Sequence, residues 1–124
     1  MLAILRHGDA ELLSADSQRQ LSDYGRQQIA LLAKADLSFI DCIWVSPFLR
    51  AQQTKDLVIR QSMLNVPVTT KANLLPDSDL NLLQADLYAC TSQCLLLIGH
   101  NPILSELINF IAILKIFNKK IKQK

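Results

Sequence analysis

The 124-residue sequence predicts an α/β domain built on a largely parallel sheet. Three observations predict it. Four short strand-like runs alternate with longer stretches of helical character. Three of those runs are continuously apolar, as in strands buried on both faces of a parallel sheet. The same three end abruptly in polar sets, and the chain's only two histidines stand at these ends.

Taken in order, Leu2-Ala3-Ile4-Leu5 is the first strand and stops at Arg6-His7-Gly8, where Gly8 lets the backbone turn sharply. Glu11 to Gln20 is polar and reads as loop. Ser22 suits the N-cap of a helix from Asp23 to about Ala35. Tyr24, Ile29, Leu32 and Ala33 supply its apolar stripe, and Gly25 permits another backbone to come close. Cys42-Ile43-Trp44-Val45 is the second strand, ending at Ser46-Pro47-Phe48. Pro47 fits the first turn of a helix running to about Met63. Val66 to Thr70 is a third strand, Pro76 to Asp79 a turn, and Leu80 to Ala89 a helix. Cys94 to Ile98 is the fourth strand and runs into Gly99-His100-Asn101-Pro102, with a last helix from Ile103.

The length allows one core and excludes two. Half the residues are hydrophobic and 19% are charged, the balance of a folded globular chain. Cys42, Cys90 and Cys94 are odd in number and fit no zinc spacing, which predicts reduced thiols and a cytoplasmic protein. Met1 leads straight into the first strand without a basic leader, so no signal peptide is expected. The net charge of +2 divides unevenly: residues 103–124 hold five lysines and one glutamate, leaving −2 on the rest. A body of that charge is not a nucleic-acid-binding surface.

Parallel strands share one carboxyl edge, where ligands bind in such sheets. Arg6-His7, Ser46 with Arg50 one helical turn on, and His100 all belong to that edge. A neutral imidazole is a competent nucleophile near pH 7, its ordinary pKa being about 6.5. Neighbouring guanidiniums favour the neutral, attacking form. Planar guanidiniums also match phosphoryl oxygens, each able to bind two. His100 precedes a helix start, where backbone amides favour anions. These residues point to phosphoryl transfer with His7 as nucleophile.

The same residues carry a family resemblance. Arg6-His7-Gly8-Asp9-Ala10, Leu21 to Gly25, Val45 to Thr54, and Ile98 to Pro102 stand in the order and spacing of the histidine phosphatase superfamily. Within it the chain is most similar to the small SixA-type protein phosphohistidine phosphatases. The resemblance implies a phosphoglycerate mutase-like, three-layer sandwich with helices on both faces of the sheet, shortened at its C-terminal end. It implies a covalent phosphohistidine on His7, with Arg6, Arg50 and His100 holding the equatorial oxygens. Gly8 and Ser46 join the substrate-binding set, as does Arg19, although Gln20 replaces the proline that commonly follows it. Larger members protonate a departing alkoxide with a carboxyl group beyond the second motif, for which Asp77 and Asp79 are the candidates here. SixA-type members manage without a strong acid, and imidazole leaves more easily than an alkoxide. The expected substrate is therefore a phosphorylated protein, a histidine phosphotransfer domain of a phosphorelay. No metal or cofactor is implied, because no histidine–carboxylate cluster has ligand spacing and arginines carry the charge work.

The resemblance covers residues 1–107, the expected phosphatase domain. Residues 108–124 form a divergent segment, apolar from Ile111 to Phe117 and then basic at Lys119, Lys120, Lys122 and Lys124. Two readings fit it: an apolar cover for an open sheet edge, or a basic amphipathic segment touching a membrane surface or another chain. It is too short and too interrupted by Asn109 and Lys115 to span a bilayer. A small-molecule phosphomonoesterase of the same superfamily, and a catalytically weak phosphohistidine-binding regulator, are the alternative functions.

Overall fold

The computed structural model describes the backbone of residues 1–122 and the side chains of residues 1–113. Strands β1 (Leu2–Arg6), β2 (Cys42–Val45), β3 (Val68–Thr70) and β4 (Leu95–Gly99) form one sheet in the order β1-β4-β2-β3, with every pair parallel. Helices α1 (Asp23–Leu32), α2 (Leu49–Ser62), α3 (Leu80–Ala89) and α4 (Ile103–Lys122) fill the crossovers and the end. The α/β class and the parallel sheet are as the sequence predicts.

Alternation along the strands separates two cores. Ile43 and Val45 of β2 with Leu96 and Ile98 of β4 face α1 and α2, meeting Ile29, Ala51 and Val58. Trp44, Leu95 and Leu97 face the other way and meet Leu83 of α3 and Ile103, Leu104 and Leu107 of α4. Each strand side chain so buried removes enough apolar surface for about 1.5–3 kcal/mol. The result is the expected three-layer sandwich.

Only the two central strands are buried on both faces. β1 pairs with β4 alone and is half-buried along most of its length, not fully buried as its apolar run suggests. β3, on the other edge, is exposed throughout. It begins at Val68 rather than Val66. Pro67 has no N–H to give a ladder, and its carbonyl instead accepts from Ile43.

Helix α1 opens where expected, with the Ser22 side chain accepting from the Gly25 amide. It closes at Leu32, three residues before the predicted end. There the amides of Lys34 and Ala35 bond to carbonyls three residues back, a tighter winding that ends the α-helix. Its buried face is Gly25, Ile29 and Ala33, while Tyr24 and Leu32 are exposed and so are not part of the apolar stripe. Pro47 lies just outside α2, whose N-cap is Phe48. Cys94 precedes β4 instead of opening it, and all three cysteines are free.

Helix α4 runs on through position 108 without a break. The lysines from Lys115 onward, and the apolar residues from Leu114, lie outside the described side chains, so the two readings of the basic tail fall there. Among the described residues no helix is long and apolar enough to cross a membrane.

Candidate active site

Sheet register brings the chemistry together. Arg6 pairs with Gly99 and Val45 with Ile98, so His7, Ser46 and His100 leave three adjacent strands at one edge. The ladder continues one step past the strands. The His7 amide donates to the Gly99 carbonyl at 3.0 Å and the Ser46 amide to that of Ile98 at 2.9 Å. The imidazoles of His7 and His100 then lie with centroids 4.9 Å apart.

His7 is held in one tautomer. Its Nδ1 is 2.6 Å from the Gly8 carbonyl oxygen, which can only accept, so Nδ1 carries the proton. Nε2 is left with its lone pair, and the Arg50 Nε–H donates to it at 3.2 Å. Burial lowers the pKa of His7 and the cations of Arg50, Arg6 and Arg19 lower it further, against the raising effect of the Gly8 bond. The imidazole is therefore neutral at pH 7, with the Nε2 lone pair engaged by Arg50.

Arg50 is buried in the first turn of α2 and its ring-side neighbour is Phe48, whose ring centroid lies 5.0 Å from the guanidinium carbon. Thr54, a turn further, donates to the Arg50 carbonyl at 2.8 Å and accepts from the Gly8 amide at 3.2 Å. That hydroxyl thus ties the loop carrying His7 to the helix carrying Arg50. Gly8 spends its amide on Thr54 and its carbonyl on His7.

Gly8 is needed for space, because no glycine among the described residues has a positive φ. A Cβ on it would stand 2.8 Å from the Gly25 carbonyl oxygen, and one on Gly25 would stand 2.0 Å from that of Asp9. The sharp turn expected at Gly8 is thus a close crossing of two backbones. Ser22 secures the same crossing. Its amide donates to the Asp9 carbonyl at 2.9 Å and its hydroxyl to the Asp9 carboxylate at 2.6 Å.

His100 is 1% exposed, with Nε2 2.7 Å from the hydroxyl of the fully buried Ser46. Its Nδ1 is buried without a hydrogen-bond partner among the described residues. Burial, then the Arg50 and His7 neighbours, lower its pKa to about 3, so it too is neutral. Ser46, predicted among the substrate-binding groups, lies beneath His100 and bonds to it.

Arg6 is exposed at the end of β1 and lines a cavity of about 390 Å³ together with His7, Asp9, Arg19 and Gln28. Arg19 donates from Nε to the Glu11 carbonyl at 2.8 Å. It reaches the cluster through Asp16, a residue the sequence reading missed. The Asp16 carboxylate lies 3.3 Å from both Arg19 and Arg50, and its carbonyl accepts from Arg50 at 2.6 Å. Asp77 is exposed and borders a second cavity of about 190 Å³ with Asp16 and Phe48. Asp79 caps α3, accepting from the Asn81 amide at 2.8 Å. Among the described residues no group of three or more His, Cys, Asp or Glu is placed to hold a metal ion.

Chemically, the edge offers one neutral imidazole whose Nε2 lone pair is held by an arginine, a second neutral imidazole with a ring nitrogen unpaired among the described residues, and guanidiniums from three segments. That set suits attack on an anionic, oxygen-rich centre such as phosphorus.

Known proteins resemble this chain in sequence and fold. The family model of the histidine phosphatase superfamily (branch 1) matches residues 2–75. The phosphohistidine phosphatase SixA of Escherichia coli strain K12 is 38% identical in an alignment 114 residues long that covers 85% of this chain and 70% of the relative. A solved structure of the protein histidine phosphatase SixA complexed with tungstate superposes with a TM-score of 0.78 at 34% identity, covering 86% of this chain and 73% of that one. A solved putative alpha-ribazole-5'-P phosphatase from Escherichia coli reaches a TM-score of 0.73 at 21% identity over 86% of this chain and 77% of its own, a likeness of fold alone. The family match over more than half the chain, joined to the identity with SixA, settles the membership: this chain belongs to the histidine phosphatase superfamily and is a phosphatase.

Proposed function

We propose that this phosphatase removes the phosphoryl group from a protein phosphohistidine, such as a histidine phosphotransfer domain of a phosphorelay, through a covalent phosphohistidine on His7. The observation that carries the reading is the state of His7: Nδ1 is tied to the Gly8 carbonyl, and a neutral Nε2 faces the buried Arg50. The identity with SixA supports the choice of a phosphohistidine substrate.

In this reading Nε2 attacks phosphorus while the P–N bond to the substrate imidazole breaks, its electron pair leaving on the imidazole nitrogen. Water then attacks the phosphoryl group on His7, releases inorganic phosphate and restores the enzyme. Arg6, Arg50 and His100 hold the equatorial oxygens, and Arg19 adds positive charge at the rim. Ser46 fixes the role of His100. In this reading the Ser46 hydroxyl, which accepts from the Phe48 amide at 3.3 Å, gives its own proton to the hydrogen bond with His100 Nε2. The His100 proton then sits on Nδ1, where it can be donated to a phosphoryl oxygen.

A departing imidazole has a conjugate acid of pKa about 6.5 and needs no strong acid. The candidate proton donors accord with that: Asp79 is engaged as a helix cap and Asp77 is exposed. A cytoplasmic setting accords with three free cysteines.

The experiment mixes the protein with a phosphorylated histidine phosphotransfer domain and follows phosphate release, with His7→Ala as control. Release by the wild type and none by His7→Ala is expected. Parallel assays of a phosphoramidate, an aryl phosphate and an alkyl phosphate test the substrate class. Ready turnover of the alkyl ester, lost in Asp77→Asn, would replace this reading with a small-molecule phosphomonoesterase. Tungstate binding without turnover of any substrate would replace it with a phosphohistidine-binding regulator.

A further inference from the structure

We propose that Asp16 is a displaceable stand-in for the phosphoryl group: it occupies the terminal fork of Arg50 in the ligand-free chain, and substrate binds by exchanging with it. The proposal deepens the reading above and rests on it, since it assumes that the phosphoryl group sits against Arg50.

The Arg50 side chain is 4% exposed, and each of its three guanidinium nitrogens has a neighbour. Nε donates to the attacking nitrogen of His7, one terminal nitrogen donates to the Asp16 carbonyl, and the other lies 3.3 Å from the Asp16 carboxylate. The same carboxylate oxygen lies 3.3 Å from Arg19. One anionic oxygen thus bridges two guanidiniums, as a phosphoryl oxygen would. The fork that best matches a phosphoryl group is therefore taken, and so is the lone pair that must attack it.

Asp16 is suited to leave. Its side chain is 59% exposed, so its pairs are weakened by water. It sits on a short turn, Asp16–Gln18, within the polar segment between Ala10 and Leu21, which are themselves bridged across the base of the loop. The loop can shift while its base stays fixed. A phosphoryl dianion carries more charge and more acceptor oxygens than a carboxylate, so the exchange favours substrate over a resident monoanion. Arg50 would then turn from His7 to phosphoryl oxygens and free Nε2 as the substrate arrives.

The gate predicts that apparent affinity is reduced by the fraction of molecules in which Asp16 holds the fork. With pairs of this kind worth about 1 kcal/mol, removing the carboxylate should tighten oxyanion binding about three- to tenfold.

The test is calorimetric titration of wild type, Asp16→Asn, Asp16→Ala and Arg50→Ala with inorganic phosphate and with tungstate. Thermal melting establishes that each variant is folded. Tighter binding by both Asp16 variants, and weaker binding by Arg50→Ala, is expected. Equal or weaker binding by folded Asp16 variants, while Arg50→Ala still loses affinity, overturns the gate and leaves the functional reading standing. Binding that ignores Arg50→Ala, or no binding by wild type, overturns both. An independent measurement is amide hydrogen exchange of residues 12–18 in the wild type. Protection should fall when phosphate saturates the site, and unchanged or increased protection contradicts the exchange.

Discussion

At the scale of single residues, hydrogen bonds select one protonation state of His7. His7 is neutral below the ordinary imidazole range because burial and three arginines disfavour its charge. The acid limb of the kcat/KM profile is therefore expected below pH 6.5. Removing a neighbouring cation should move it the other way. In Arg50→Ala, an NMR titration should find the His7 pKa higher than in wild type, and a fall would show that Arg50 does not act on His7 in this way. Losing any one of Arg6, Arg50 or His100 is expected to cost roughly 3 kcal/mol of transition-state stabilisation, about two orders of magnitude in kcat. Ser46 acts through His100 and should matter less. Ser46→Ala removes one hydrogen bond worth about 1 kcal/mol, so kcat should fall about fivefold. Its specific signature is the His100 tautomer, read from ring nitrogen chemical shifts, and an unchanged tautomer would refute the role given to Ser46. Some of this was legible in the sequence. Arg6, His7, Arg50 and His100 stand at strand ends or one turn after them, and periodicity alone puts them on one edge. Asp16 was not legible, because it lies in a polar loop without periodicity, and only tertiary folding brings that loop over Arg50. Ser46 was recognised as part of the edge, but no spacing could say that its hydroxyl meets an imidazole 54 residues away.

At the scale of elements, the site depends on how a loop after β1 crosses the start of α1. Gly25 has no room for a methyl group, its Cβ position lying 2.0 Å from a backbone oxygen of Asp9. Gly25→Ala must push the loop after β1 away from α1. It is expected to destabilise the fold by about 1–3 kcal/mol, the range for overpacking, and to lower activity beyond the loss of folded protein. Ser22→Ala removes both an N-cap and the anchor on Asp9, and should cost about 1–2 kcal/mol in urea unfolding. A cost near zero would mean that the crossing is held by other groups. The sequence predicted the crossing in outline, through an N-cap serine followed by a glycine that admits a second backbone. It could not identify the second backbone. The ends of elements were less legible for local reasons: Pro67 withholds an amide from β3, and the residues just after α1 wind into a tighter turn.

At the scale of the whole molecule, folding and chemistry are linked through two neutral histidines. An unfolded imidazole takes up a proton near pH 6.5, whereas His100 in the fold resists protonation until about pH 3. The unfolded state thus binds more protons across that window, so stability falls as pH drops from about 6.5 toward 3. The slope contributed by one such group is about 1.4 kcal/mol per pH unit. His7 adds to it in the same direction. Urea midpoints between pH 6.5 and 4.5, above the ordinary carboxylate range, should fall accordingly, and His100→Asn should flatten the slope. The parallel class of the sheet was legible from the alternation of elements. The strand order β1-β4-β2-β3 was not, because nothing in a local pattern tells which edge a crossover returns to. That order explains why β1, apolar as it is, remains half-buried.

The claim on which all three scales converge is that His7 becomes phosphorylated. The most direct measurement is rapid quenching of the protein with a phosphohistidine-bearing domain, followed by mass spectrometry and phosphorus NMR of the trapped enzyme. An acid-labile phosphoryl group on Nε2 of His7, formed before phosphate appears and absent in His7→Ala, is expected. Phosphate released at the same rate with no phosphorylated His7, or with the label on His100, would contradict it.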